Sequence, residues 1–497
     1  MKLNFNISIL LISLALTSQV KAQNNAFSFQ KILNEGFENN YNIKLKKLNL
    51  TKANHTLLKA NGFLNPFIDT KIVYGEGIDP SITNDGTMYI QSNLVVPTKF
   101  GVNFYTGVRS ERTTEIAAEN FSFNSSGAFV GATIPLLKGL GKTNPRNSFI
   151  EVSKINQKAL DQQFSNQILT YFSKLLMNYL SLKEVIEEYD IEKNIVGESK
   201  KYKNDIYILA ENDQIPLVEK NRANSFYNDK LQQLTISNIH VLEVYYDTKI
   251  ILGINENKKP DSISKLMDKV PDPNKEKLIE YITARKLTLD SLIKNTPQYK
   301  SISLRVNQNK VLLNSAKNQK KNLLDLDVRV SRYGGYQNGA YNFNNTLNSS
   351  YPGYSFLVSL KHNFSIKNQT QKGAYLEQLV EYDLSKTFLE QYLFESTTNV
   401  ELNLALLKQK IDLFYQTKLL VGLMKQNYQD EVEKFKLGSS TQTDVIISLN
   451  NYFRALKSLN SLKYGVWKTY VGIKYKLGEL PNNKKELNEF LFSVFLS

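Results

Sequence analysis

The 497-residue sequence contains no cysteine and only three histidines. Without cysteine, the chain cannot form disulfides, thiolate metal sites, a cysteine nucleophile or a lipid anchor attached through cysteine. The histidines, His55, His240 and His362, are far apart in the sequence and lack the paired spacing of a zinc site. We therefore expect neither a metal nor a cofactor.

Long apolar runs are missing as well. The apolar stretch from Ile7 to Leu16 is too short for a membrane-spanning helix. Because Lys2 precedes it and the small-residue site Val20-Lys21-Ala22 follows it, we interpret residues 1–22 as a secretory signal peptide. Downstream, no run reaches about 18 uncharged apolar residues, so the sequence predicts that any membrane-embedded part is a closed β-barrel.

The chain is basic, with a formal net charge of +15. Its lysines alternate with Glu, Asp and Asn along helical stretches, which indicates solvated helix faces and not a nucleic-acid-binding block. Gly131 and Gly334-Gly335 lack the lysine and helix context of a phosphate-binding loop, and the carboxylates Glu187 and Glu188 look solvated. Since no residues suggest catalysis, we predict that the protein is not an enzyme.

The most distinctive feature is a duplication of long helical segments. The runs Lys142 to Leu217 and Lys367 to Val445 are nearly equal in length, and each has a short polar break near its end, at Leu209 to Gln214 and at Leu437 to Gln442. A helix of such length would span on the order of 110 Å, which is too long for an ordinary globular helix.

Apolar residues recur in both runs at alternate spacings of three and four, which predicts coiled-coil packing. The positions in the first run are Phe164, Ile168, Tyr171, Leu175, Asn178, Leu182, Val185 and Tyr189. Those in the second run are Leu404, Leu407, Ile411, Phe414, Lys418, Val421, Lys425, Tyr428, Val432 and Phe435.

Period-two alternation precedes each long helical run and predicts strands. The second half has strands around Leu326 to Val330 and Tyr354 to Ile366. The first half has flanking strands at Phe67 to Tyr74 and Ala128 to Ile134. It also has a surplus hairpin, with Met88 to Val96 and Phe100 to Val108 joined by Pro97-Thr98-Lys99. A soluble sandwich gives the same alternation, whereas aromatic residues near the strand ends and a long loop favour a transmembrane barrel.

In this repeated order of helix, strands, long helix, turn and helix, the chain resembles the TolC-type outer-membrane efflux protein family over essentially the whole mature sequence. The segment from Phe435 to Val445 is similar to the family's Gly-then-Asp-Val turn. Pro135-Leu136-Leu137-Lys138-Gly139-Leu140-Gly141 is similar to its barrel-exit segment, where we single out Pro135, Gly139 and Gly141. Gly478 lies in a turn-rich segment near the C-terminus that also fits the family.

The resemblance implies an α+β membrane protein, in which an outer-membrane β-barrel is continued by a long α-helical coiled-coil barrel, internally duplicated and trimeric. It implies a passive exit duct of a tripartite efflux or type I secretion system, lying in the outer membrane and extending into the periplasm. The partners implied are two further copies in a homotrimer, a periplasmic adaptor (membrane fusion) protein, an inner-membrane transporter and outer-membrane lipid, without nucleic acid. A barrel-anchored coiled-coil structural or adhesive surface protein is the alternative, and the cargo stays open.

By the same resemblance, Asp444 would belong to a periplasmic gate, although it could simply cap a helix that begins at Val445. Ile447 stands where the family often has a second Asp, and Pro216 and Ala210 stand where the first repeat would have Asp and Gly. Small residues such as Gly438, which tolerates positive φ, favour tight turns. The expected adaptor-docking turns are Leu209, Ala210 and Glu211 in the first repeat and Leu437, Gly438 and Ser439 in the second.

These features divide the chain into successive segments. Residues 1–22 form the signal peptide, 23–66 upper and equatorial helices, 67–141 the first strand region with its extra hairpin, and 142–254 the first helical hairpin. An equatorial insert (255–298), an upper helix (299–324), the second strand region (325–367), the second helical hairpin (368–478) and a tail (479–497) follow. If the surplus hairpin lies at a rim, as we expect, a trimer has 12 barrel strands, and otherwise it has 18.

Overall fold

The structure is a computed structural model that describes residues 40–76, 86–115, 121–252, 270–337 and 353–481. The predicted signal peptide and most of the C-terminal tail lie outside these residues. The described residues divide into two compact units. The sheet unit holds residues 48–163 and 298–392, and the helical unit holds the remainder.

Fourteen helices and strands make up the described part of the chain. The elements of the first half are α1 (Tyr41–Gly62), β1 (Phe67–Glu76), β2 (Gly86–Pro97), β3 (Asn103–Glu115), β4 (Phe121–Pro135), α2 (Pro145–Glu211) and α3 (Val218–Leu252). Those of the second half are α4 (Lys275–Lys286), α5 (Leu289–Asn295), α6 (Pro297–Gln319), β5 (Leu323–Gln337), β6 (Gly353–Asn363), α7 (Gln369–Lys436) and α8 (Gln442–Lys476).

The six strands form one antiparallel sheet in sequence order, which confirms the predicted strands. The expectation that the surplus hairpin lies at a rim is wrong. This hairpin is β2 and β3, and it fills the sheet between β1 and β4. Because β2 pairs with β1 from Phe67↔Val95 onward and β3 pairs with β4 from Asn103↔Thr133, the hairpin carries the backbone hydrogen bonding between the flanking strands.

The two faces of the sheet differ in chemistry because alternate residues point to opposite sides. One face, the apolar face, exposes large hydrophobic side chains on every strand. They are Ile68, Ile72, Tyr74, Met88, Ile90, Leu94, Val96, Phe104, Val108, Val130, Val330, Tyr354, Phe356, Val358 and Leu360. The other face, the polar face, carries Asp69, Lys71, Gln91, Asn93, Tyr105, Arg109, Glu111, Asp325, Asp327, Arg329, Ser355, Ser359 and Lys361.

The duplicated helices match closely. Helix α2 has 67 residues and α7 has 68, and the helices that follow them, α3 and α8, have 35 each. Each longer helix is therefore about 100 Å long. None of the helices within the described ranges is long and apolar enough to cross a membrane.

The predicted coiled-coil positions form the core of the helical unit. Leu175, Leu182, Leu404, Leu407 and Ile411 are almost completely buried in one hydrophobic cluster. In the second run, the two polar members, Lys418 and Lys425, are exposed. The spacing of three and four thus identified the buried face of both helices.

A row of ion pairs joins α2 to α8. Glu187 pairs with Lys463 at 3.2 Å, and Glu192 pairs with Lys457. Lys468 in α8 pairs with Glu184 in α2. The interpretation of Glu187 as solvated is therefore wrong, because its carboxylate lies between the packed helices.

The described part of the equatorial insert packs against α7 and α8. The Tyr415 hydroxyl donates to the Pro273 carbonyl at 2.8 Å, and the Trp467 indole N–H donates to the Pro271 carbonyl at 3.0 Å. Lys275 and Asp412 form an ion pair at 2.8 Å.

Candidate functional site

The turn between α7 and α8 is a compact helical cap. Gly438 has φ of +73°, as its sequence context predicts, and its N–H donates to the Phe435 carbonyl. The N–H of Ser439 donates to the Lys434 carbonyl at 2.9 Å. These two hydrogen bonds satisfy carbonyls at the end of α7, so the chain reverses direction within a few residues.

The turn between α2 and α3 has the same hydrogen-bond pattern with different residues. The N–H groups of Asp213 and Gln214 donate to the carbonyls of Ala210 and Leu209, and Asp213 has φ of +53°. Asp213 therefore corresponds to Gly438. The alignment of Ala210 with Gly438 is wrong by three residues.

The predicted docking residues consequently lie in different places in the two repeats. Leu209, Ala210 and Glu211 belong to the last turn of α2, and Ala210 is buried. Leu437, Gly438 and Ser439 lie in the loop after α7, where Leu437 is 83% exposed.

Asp444 lies in the first turn of α8 and takes part in a capping box. Thr441 is the N-cap residue, and its Oγ1 accepts the N–H of Asp444 at 3.3 Å. In return, the Asp444 carboxylate accepts the Thr441 N–H at 3.1 Å. The helix begins at Gln442, so Asp444 is the third residue of the helix and not the residue before it, as a helix starting at Val445 would require.

Both groups that hold Asp444 favour its charged form. Hydrogen bonds from the Thr441 side chain, and then from the Thr441 backbone, lower the pKa of the exposed Asp444 carboxyl below its ordinary value. Asp444 is therefore ionised at neutral pH and faces solvent.

The corrected alignment also identifies an acidic residue that the sequence interpretation missed. Counting from Asp213 instead of Ala210, the first-repeat counterpart of Asp444 is Glu219, which lies in the first turn of α3. Pro216 corresponds to Thr441, not to Asp444. Glu219 forms an ion pair with Arg222 at 3.0 Å, and its backbone carbonyl accepts the Gln442 amide. The sequence signal for Glu219 was its place six residues after Asp213, as Asp444 stands six residues after Gly438.

The two tips are packed together by a small apolar cluster. It contains Ile195, Tyr202, Ile206, Ala223, Phe226, Val445, Leu449 and Phe453. The aromatic rings of Tyr202 and Phe226 meet edge to face, with centroids 6.3 Å apart. Asp444 and Glu219 therefore lie at the starts of two helices, α8 and α3, that pack against this cluster.

The predicted barrel-exit residues form a hydrogen-bonded junction between β4 and α2. Gly139 and Gly141 have φ of +90° and +81°, so both need the conformational freedom of glycine. The Gly139 N–H donates to the buried Asn318 side chain at 2.8 Å, and the Gly141 N–H donates to the Phe100 carbonyl. Pro135 is the last residue of β4.

Three glycines on the polar face lie under aromatic rings of the strand opposite. The register places Gly107 opposite Phe129. It likewise places Gly131 opposite Tyr105 and Gly127 opposite Tyr333. A Cβ atom on Gly131 would lie 2.5 Å from the Tyr105 ring, so that ring lies down on the sheet surface. Its hydroxyl donates to Asp327 at 2.8 Å and is held there.

No protein-family model and no curated protein matches the sequence. Solved structures do match. The outer membrane protein VceC from Vibrio cholerae aligns over 90% of this chain and 96% of its own, with a TM-score of 0.65 and 10% identity. The CmeC outer membrane channel from Campylobacter jejuni aligns over 90% and 85%, with a TM-score of 0.61 and 13% identity. The fold is that of an outer-membrane channel.

A further example is the MtrE outer membrane channel from Neisseria gonorrhoeae, which aligns over 90% of this chain and 88% of its own, with a TM-score of 0.59 and 12% identity. These similarities confirm the predicted resemblance to TolC-type channels for the fold of the single chain, with its long helices and one antiparallel sheet. The roles of individual residues are therefore inferred from their contacts in this chain.

Proposed function

We propose that the protein is the outer-membrane exit duct of a tripartite efflux or type I secretion system, a passive channel from the periplasm to the exterior. The observation that carries this proposal is the sheet, whose apolar face suits lipid and whose polar face suits a water-filled lumen. The structural similarity to the CmeC and MtrE outer membrane channels supports it.

In this proposal, three copies enclose the duct, because one copy leaves apolar surface uncovered. Helix α3 exposes Ile239, Leu242, Tyr246 and Ile250 at spacings of three and four residues. Helix α7 exposes Leu406, Leu413 and Leu420 at spacings of seven. These two stripes suit coiled-coil contacts between neighbouring copies.

The tips of the two hairpins would meet a periplasmic adaptor that links the duct to an inner-membrane transporter. Leu437, exposed at the end of the second hairpin, supplies apolar contact area for such a partner. The carboxylates of Asp444 and Glu219, repeated three times, would attract cations to the periplasmic entrance.

Reconstitution into planar bilayers tests the proposal. The purified full chain should insert and give discrete conductance steps. In cells, deleting its gene should increase sensitivity to a toxic compound or abolish secretion of a protein. Re-expression of the chain should restore the phenotype. Absence of conductance, together with unchanged resistance and secretion in the deletion strain, would count against the duct.

Protease accessibility tests the orientation. If the helical unit lies in the periplasm, a protease should cleave α3 and α7 only after the outer membrane has been permeabilised. Cleavage on intact cells would instead indicate a surface protein whose helices project outward.

A further inference from the structure

The two edge strands of the sheet, β1 and β6, each have one hydrogen-bonding edge that no described part of the chain pairs with. Within the described residues, each pairs with a neighbour on one side only. They are long, with 10 and 11 residues, and neither contains a proline to block pairing. Resting on the proposed function, we infer that β6 of one copy pairs with β1 of the next in one defined register, so that each copy adds six strands to the wall.

The direction of the strands allows this pairing. Six consecutive antiparallel strands leave β6 antiparallel to β1. If neighbouring copies are related by rotation about a common axis, β6 of one copy is therefore antiparallel to β1 of the next, like every other pair of strands in the sheet.

The register follows from the geometry of the sheet. One row of facing residues crosses all six strands, passing through Phe67, Val95, Tyr105, Gly131, Arg329 and Leu357. If the row closed on itself, with Leu357 opposite Phe67 of the next copy, the edges would overlap only over residues 67–71. With Asn363 opposite Phe67, the overlap covers the whole of β1.

This full overlap also gives a reasonable strand tilt. It shifts the row by six residues along the strand, from Leu357 to Asn363, which is about 20 Å at ~3.3 Å per residue. Across six strands spaced about 4.8 Å apart, such a shift corresponds to a tilt of roughly 35°. Closed barrels have tilts of about 35–45°.

The same register matches side chains on both faces. On the polar face it places Asp69 opposite Lys361, a pair of opposite charges. On the apolar face it places Ile72 opposite Val358 and Tyr74 opposite Phe356, so the lipid-facing surface continues across the joint. A second copy of this chain is thus the partner that the two edges fit.

In the proposed trimer, six strands from each copy give 18 strands. At the same tilt, an 18-stranded wall has a backbone diameter of about 34 Å, compared with roughly 22 Å for 12 strands. Side chains reduce the open bore to about 20 Å. The ring of Tyr105, which lies flat over Gly131, takes less of this space than an upright ring. We infer that the outer-membrane end of the duct passes bulky solutes.

Disulfide cross-linking tests the register, and the absence of natural cysteines gives a clean background. The double variant Asp69→Cys/Lys361→Cys should form a covalent trimer on oxidation that reverts to monomer on reduction. The variant Lys71→Cys/Ser359→Cys tests the same register at a second pair. Asp69→Cys/Ser355→Cys, which matches the untilted register, is the control and should not cross-link.

Cross-linking of the control pair, or a closed covalent dimer as the final product, would overturn the inference. So would absence of cross-linking in both test pairs of a protein that still conducts, a result that leaves the proposed duct intact. A protein that neither conducts nor cross-links would refute both.

The bore is measured separately in the bilayer. Polyethylene glycols of about 15 Å hydrodynamic diameter, added on the extracellular side, should enter the native channel and lower its conductance. Exclusion of polymers larger than about 10 Å would show that the wall has fewer strands than six per copy.

Discussion

Positive-φ residues determine where the helical hairpins reverse. Gly438 and Gly478 were recognisable in the sequence because glycine adopts this conformation without a steric penalty. Asp213 adopts it too, and was missed because aspartate is only an occasional occupant of the left-handed region. The shift of three residues in the first repeat, and with it the oversight of Glu219, came from this single substitution of Asp for Gly.

The two roles of Asp444 can be separated by a matched pair of variants. Both Asp444→Ala and Thr441→Ala remove the capping box, but only Asp444→Ala removes the carboxylate. If Asp444 acts in the gate, Asp444→Ala should raise single-channel conductance or weaken block by divalent cations. Thr441→Ala should leave both close to the native values. Equal effects of the two variants on the conductance would assign Asp444 to capping alone.

The pH dependence of the second tip follows from the same contact. The pKa of Asp444 is lower in the folded tip than in the unfolded chain, where it has the ordinary value of an aspartate. Its stabilising contribution is therefore fully present above that unfolded value and is lost as the pH falls through the lower folded value. Hydrogen exchange at the start of α8 should show this acid-dependent opening in the native chain and not in Asp444→Asn.

The long helices follow from their sequence, but their ionic contacts do not. Spacings of three and four predict which side of α2 and α7 is buried, because this pattern is local. The partner of Glu187 is Lys463, 276 positions away in the chain, so no local pattern could indicate that this carboxylate is paired. The surplus hairpin shows the same limit: its strands were recognisable, whereas its place between β1 and β4 depends on long-range pairing.

The ion pairs between α2 and α8 should contribute measurably to stability. Lys463 and Glu187 are 14% and 26% exposed, so Lys463→Met leaves a poorly hydrated carboxylate and should cost about 1–2 kcal/mol of unfolding free energy. As a control, Lys201→Met disrupts the exposed pair between Lys201 and Glu198 in α2 and should leave the unfolding free energy almost unchanged. Thermal unfolding in detergent compares the variants. The charge exchange Lys463→Glu/Glu187→Lys should recover most of the loss, and failure to do so would show that the charges do not interact.

At the scale of the whole molecule, the single chain is incomplete in both units. Within the described residues, no strand pairs with the outer edges of β1 and β6, and α3 and α7 expose apolar stripes. In the proposed trimer, a neighbouring copy would cover both features. The fold and its incompleteness could be predicted from the sequence, because the strand and heptad patterns leave apolar residues that one chain cannot cover.

Polar substitutions in the α3 stripe test the assembly. The double variant Ile239→Asp/Tyr246→Asp places charges at two exposed apolar positions and should shift the protein from trimer to monomer. Asn238→Asp introduces a charge at an exposed polar position of the same helix and should not change the oligomeric state. Native mass spectrometry in detergent measures both. A trimer that tolerates the double variant would place the interface elsewhere.

The position of the β2–β3 hairpin has an evolutionary consequence. Among the described residues, the hairpin adds two strands to the first half that have no counterpart in the second, and two antiparallel strands restore the direction of the chain. The strand β4 therefore leaves the sheet at the same end as it would without the hairpin, and α2 begins as its counterpart α7 does. In the proposed wall, the insertion of a whole hairpin would therefore increase the diameter without changing the helices, so that the diameter of the wall and the length of the helices can vary independently.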